Sequence, residues 1–334
     1  MPRLQNKYSQ AGNVNPAWLL LVIVWVGLLG FAAVNRQNLQ DTWQLRGYQA
    51  PAEVAALADQ DTMTPYARKV FDVNHPSILA KNIFSNSCPN NGGEQTIVLG
   101  CYHGGQNGIF LLQVSDPRLS GVQQVTAAHE MLHGAYDRLS SKERKRVDAL
   151  LNDYYQHDLH DQRILNTIAA YKKSEPHDVT NEMHSVFGTE VADLPPGLES
   201  YYKQYFTDRS RVTGYAAAYQ AEFSSRQAAV TQDDAQLKAL KAQIDDLEAN
   251  LRSEQADITD RQTSLANLRS NGDTTSYNAA VPGYNQLVSQ YNRQVESLKA
   301  MVDQYNQLVA ARNETAGEID SLVKDLTASA STIQ

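Results

Sequence analysis

His129 and His133 stand four residues apart, with Glu130 beside the first, in the segment Val125–Leu139 (VTAAHEMLHGAYDRL). On an α-helix, positions i and i+4 lie one above the other on one face, so two imidazoles can reach a single metal ion. A zinc ion lowers the pKa of a bound water to near neutrality. A carboxylate beside that water, here Glu130, can take its proton and later hand it to a leaving amine. That division of labour is the mechanical content of the HExxH pattern, and the chemistry it serves is hydrolysis of a peptide bond. Nothing in the segment breaks a helix before Gly134, and Val125, Ala127, Ala128, Met131 and Leu132 are apolar enough to bury one. The plainer reading of the same spacing is a helix with two surface histidines.

Two histidines do not complete a catalytic zinc site, which takes three protein ligands and a water. A third histidine six residues after His133 would mark a metzincin, but that position is Leu139. A glutamate from a second helix is the alternative. Asn181–Thr189 reads NEMHSVFGT, and Asp137 follows His133 by four residues. Together these segments resemble the gluzincin, thermolysin-like zinc metallopeptidases, whose third-ligand helix carries Asn-Glu-x-x-Ser followed by Phe-Gly-Thr. The resemblance implies Zn2+ held by His129, His133 and Glu182, with Glu130 as general base and Asp137 supporting a ligand from behind. It also implies that the edge of a strand beside the metal helix, such as Gly108–Val114, pairs with an extended substrate. It covers about 25 of the 334 residues. Val186 stands where the family has an aspartate, and 48 residues separate His133 from Glu182, a longer stretch than in thermolysin. Rivals for the third ligand are Glu190, His184 and Asp193. The group that would hold the oxyanion is open among His184, His177, Tyr136, Tyr201, Tyr202 and Tyr205.

These residues need a scaffold. Thr96–Tyr102 (TIVLGCY) and Gly108–Val114 (GIFLLQV) read as strands of a hairpin with HGGQN as its turn, His103 being a solvated loop residue. Helical patterns follow over Val122–Leu139, Ser141–Tyr155, Gln162–Lys172 and from about Thr180 to Ala192, where Pro195-Pro196 stops the run. Cys88 and Cys101 fit neither a CxxC pair nor a four-cysteine zinc site, but a disulfide between them would close a short loop ahead of the hairpin. The expectation is an α+β fold, a zincin-like metallopeptidase domain over residues 64–210.

Before it, Ala17–Val34 (AWLLLVIVWVGLLGFAAV) runs 18 residues without a charge. That length reads as a transmembrane anchor, and Arg3 and Lys7 ahead of it place residues 1–16 in the cytoplasm and the main domain outside. The small residues Ala32 and Ala33 leave a cleavable signal peptide open. Residues 35–63 read as a tether.

After the domain, Phe223, Val230, Leu237, Ile244, Leu251, Ile258 and Leu265 recur every seven residues, as do Val288, Val295, Val302, Val309, Ala316 and Val323. Ser270–Ser276 (SNGDTTS) separates the two runs. Sustained heptads with a polar break predict an antiparallel coiled-coil hairpin over 215–330, its arms on the order of 75 Å long. The repeated YNQLV at Tyr284 and Tyr305 belongs to that register.

A net charge of −8 and no basic patch exclude a general nucleic-acid binder. The reading that results is a membrane-anchored extracytoplasmic zinc peptidase acting on a protein or peptide, with a coiled coil for a protein partner or self-association. The rival is an envelope scaffold acting through its coiled coil, its metal site structural or vestigial.

Overall fold

A computed structural model describes residues 16–88, 99–174 and 176–327. Twelve α-helices and one sheet are built from them. The amino-terminal part holds α1 (Pro16–Val34), α2 (Arg36–Gln44), α3 (Ala52–Gln60), α4 (Pro65–Asp72), β1 (Ser77–Leu79) and α5 (Lys81–Ser87). Strands β2 (Gly100–His103) and β3 (Gly108–Leu112) follow, then α6 (Val122–Asp137), α7 (Ser141–His157), α8 (Gln162–Ser174), α9 (Val179–Glu190) and α10 (Pro196–Tyr202). Two long helices, α11 (Arg209–Ser270) and α12 (Thr274–Leu326), complete the chain.

Local chemistry sets several boundaries. Thr64 caps α4 by accepting from the Ala67 N–H, with Pro65 at the first helical position where its missing N–H costs nothing. Ser140 and Glu143 form a reciprocal capping box at the start of α7. Strand β3 is the centre of the sheet, parallel to β1 and antiparallel to β2, with Cys101 opposite Phe110. A disulfide joins Cys88, just after α5, to Cys101 in β2.

The core forms around α6. Ala127, Ala128, Met131, Leu132 and Ala135 are fully buried, against Val54 and Ala58 of α3, Val70 and Phe71 of α4, Ile109 and Leu111 of β3, and Met183, Val186 and Phe187 of α9. Such all-round apolarity marks a central helix, not a surface one.

Three expectations are corrected here. The described residues are 78% helical with one three-stranded sheet among them, so the fold is not an α+β zincin-like domain. Among the described residues no strand exceeds the five residues of β3, and helices supply most of the apolar surface that closes on α6. Second, among the described residues no helix is long and apolar enough to cross a membrane, which removes both the transmembrane anchor and the single-pass, main-domain-outside placement. Helix α1 spans 19 residues, and Asn35 separates it from α2. The cytoplasmic segment expected over 1–16 lies, Pro16 apart, outside the described residues. Third, residues 35–63 are part of the folded unit. Asp41 of α2 is buried, receiving hydrogen bonds from Arg138 at 2.9 and 3.0 Å and from Gln106 at 2.7 Å, with Lys69 at 2.9 Å. Burial works against its charge, but the Arg138 and Lys69 contacts outweigh it and hold the carboxyl down at about 2.

Helices α11 and α12 pack side by side and antiparallel. Arg226 pairs with Glu318 at 2.7 Å, Arg312 with Asp234 at 3.0 Å, and Glu254 accepts from Gln290 and Gln294. Partners run backward along α12 as α11 runs forward. Val230, Leu240, Ile244 and Leu251 are buried, whereas Val302 of the expected heptad seam is 37% exposed. The base of this arm is built into the domain. Leu322 and Leu326 bury against Leu119 and Val122, with Tyr219 and Phe223 packed beside them.

Candidate metal centre

Helices α6 and α9 carry the chemistry, and the sequence brings them unusually close. A Cβ at Gly188 would lie 2.5 Å from the Leu132 side chain and 2.8 Å from the Tyr202 ring. Only glycine permits that approach. The carboxyl end of α9 is fixed by the buried Arg209, whose guanidinium donates to the Val191 carbonyl at 2.5 Å and to that of Ala192 at 2.8 Å. A cation on the unsatisfied carbonyls of a helix end complements its dipole.

This crossing sets Glu182 between the two histidines. His133 Nε2 is 3.5 Å from Glu182 Oε1, and His129 Nε2 is 3.6 Å from Oε2. The two imidazole centroids are 4.8 Å apart at 68°. One ligand atom from each of the three residues falls within 4.8 Å of the others, and theirs is the one such grouping among the described residues. Glu130, one residue along α6, is buried as well.

The donor set fits a metal ion. With metal–ligand bonds near 2.0–2.1 Å, adjacent ligands of a tetrahedron sit roughly 3.3 Å apart. The two histidine–carboxylate separations are close to that. Glu182 Oε2 is buried with no hydrogen-bond partner, an arrangement that costs about 1–3 kcal/mol, more for a charged group, unless something else satisfies it. Burial disfavours a proton on His129, but the adjacent Glu182 carboxylate and the nearby charges of Glu130 and Glu190 prevail and raise it to about 9. Burial likewise opposes the charge of Glu182, yet His133 and His129 keep its carboxyl below the ordinary range. The group is thus built to concentrate positive charge at one point.

The rivals are engaged elsewhere. Glu190 is paired with Arg163 at 2.5 Å and accepts from Gln220 at 3.0 Å. His184 is fully buried on the far side of α9, with Nε2 2.8 Å from the Tyr201 hydroxyl and Tyr136, Tyr202 and Tyr205 around its ring. Burial lowers it to about 3, so it is neutral. Asp193 and His177 are exposed. Tyr136 donates to Asp148 at 2.7 Å, and Tyr202 to the His184 carbonyl at 2.6 Å. None of these tyrosine hydroxyls is spent on the three ligands. Val186 is a core residue, 1% exposed. Asp137 accepts from the Tyr102 hydroxyl at 3.0 Å and lies 4.0 Å from Arg144, so its contacts tie strand β2 to the end of α6.

One neighbour was not foreseen. Tyr171 of α8 is among the groups that help hold the charge of Glu182, after His133 and His129. Its place in an ordinary amphipathic helix gave no sign of this. The substrate edge expected at Gly108–Val114 is the central strand of the sheet, paired on both sides; β2 is the outer strand on the side of α6.

In comparisons with known proteins, the chain matches no family model, no curated protein and no solved structure.

Proposed function

We propose that the chain is a zinc-dependent peptidase, with His129, His133 and Glu182 as zinc ligands and Glu130 as general base. The observation that carries the reading is the convergence of three ligand atoms within 4.8 Å of one another, with one oxygen of the buried carboxylate left without a hydrogen-bond partner. Two imidazoles and one carboxylate make a ligand set suited to zinc that leaves a fourth position for water. Zinc bound there would acidify that water and polarise the substrate carbonyl.

The remaining work falls to the chain. Glu130 would accept a proton at its carboxylate and return it to the leaving amine. Tyr171 would hold Glu182 in its liganding orientation, the kind of outer contact that tunes a metal site. Burial of Glu130 and Glu182 limits the access of bulk water to the exchange.

Glu130→Gln is the test. With stoichiometric zinc, the unaltered protein should cleave members of a random peptide library, and Glu130→Gln should retain its zinc while losing at least about 100-fold in kcat. A zinc-loaded wild type that cleaves no peptide would favour the scaffold reading, in which the helical arm is the working part.

A further inference from the structure

The outer strand β2 touches α6 at the base itself. A Cβ at Gly100 would lie 2.6 Å from Thr126 Cγ2, 2.8 Å from Glu130 Oε1 and 2.9 Å from Glu130 Cγ. The Glu130 carboxylate therefore occupies the space a side chain on β2 would need. The carboxylate end could swing aside, but Thr126 has little freedom. It is buried, β-branched and tied by its hydroxyl to the Val122 carbonyl at 2.8 Å.

The strand is held against α6 from three directions. Gly100 pairs with Leu111 in the sheet, and the Leu112 N–H donates to the Leu99 carbonyl at 2.8 Å. Cys101, the next residue, is bonded to Cys88, which is buried with Phe84 and Leu112. Two residues on, Tyr102 donates to Asp137 at the far end of α6. The backbone at Gly100 thus has a fixed distance from the helix, and that distance sets the room left for Glu130.

We propose that Gly100, clamped by the Cys88–Cys101 disulfide, is a positioning residue for the general base: its missing side chain and fixed backbone define the orientation of the Glu130 carboxylate. This rests on the peptidase reading above. In the zinc-loaded full chain, Gly100→Ala should lower kcat by about 10-fold or more, within the range general acid–base catalysis contributes, with KM and zinc content unchanged. Thr126→Ser added to Gly100→Ala removes the closest clash and should restore part of the loss. Cys88→Ser with Cys101→Ser should lower kcat in the same direction by less.

A second readout needs no turnover. In the cobalt-substituted protein, the pH midpoint of the visible spectral change should shift in Gly100→Ala in the direction that Glu130→Gln shifts it. A Gly100→Ala protein with wild-type kcat and wild-type cobalt midpoint overturns the inference. Should that variant fail to fold, the cysteine pair decides, and unchanged kcat and midpoint there overturn it. A wild type that takes up cobalt but cleaves nothing refutes the peptidase reading while the midpoint still judges Gly100. A wild type that takes up no cobalt refutes both.

Discussion

Two glutamates, one in the helical core and one in the arm, each keep a buried carboxylate oxygen without a hydrogen-bond partner: Glu182 Oε2 and Glu254 Oε2. Their surroundings differ in kind. Glu182 faces two imidazoles held by one helix, at 3.5 and 3.6 Å. Glu254 faces amides, accepting from Gln290 at 2.9 Å and Gln294 at 2.7 Å through its other oxygen. Imidazoles can trade a proton for a metal, whereas amide N–H groups cannot. The orphan oxygen in the core therefore belongs to a group that could hold a metal ion, and the one in the arm to a polar layer between α11 and α12, where buried polar residues of coiled coils set the register. An unsatisfied polar atom is informative only through the company it keeps.

The sharpest way to break this contrast is to truncate both residues. Glu182→Ala should abolish stoichiometric zinc uptake, seen by elemental analysis after gel filtration, with affinity down at least about 100-fold. Glu254→Ala should leave zinc content untouched and move the melting temperature by only a few degrees. Zinc retained in Glu182→Ala would dissolve the distinction.

Next in size is a probe of whether core and arm are separable at all. Leu322 is at the end of the arm but fully buried against Leu119 and Val122 at the root of the metal helix. Leu322→Ala should cost about 2–5 kcal/mol in denaturant unfolding, in a transition that takes the metal helix with it. Loss of the arm's helicity alone, with the core transition unmoved, would show two independent units.

The smallest effect concerns a third buried carboxylate. Asp61 is 0% exposed, and neither oxygen has a partner. Burial raises its folded pKa well above the usual value, with no cation opposing the shift. A group whose pKa is higher folded than unfolded favours folding fully below its unfolded pKa and loses that contribution as pH rises through the folded one. The stability gap between Asp61→Asn and wild type should therefore widen in favour of the variant as pH rises from about 4. Parallel curves would mean that the Asp61 carboxyl titrates alike in the folded and unfolded states.

Much of the site was written in local spacing. The i, i+4 histidines needed only the pitch of a helix, and the heptads behind Val230, Ile244 and Leu251 needed only its period. Glu182 was reachable through NEMHSVFGT. Other features were not local. Strand β1 is three residues between Pro76 and Ala80, too short to show alternation. Residues 35–63 looked like a tether because the stretch is polar and Ala-rich, yet Asp41 within it is buried against Arg138, 97 positions away. The apolar run at Ala17–Val34 suggested a span, but among the described residues no helix is long and apolar enough to cross a membrane.

By itself, the sequence determined which residues share a helix face: His129 with His133, and the seams of α11 and α12. Helical geometry is a property of a few consecutive residues, so spacing suffices. Only the tertiary structure decided that Glu182 meets both imidazoles, that Glu190 and His184 are occupied elsewhere, that Tyr171 supports the carboxylate, and that Gly100 leaves room for Glu130. Those facts depend on how closely α6, α8, α9 and β2 approach. Close approach is set by packing across the whole core, at positions such as Gly188 and Arg209 that carry no metal chemistry of their own.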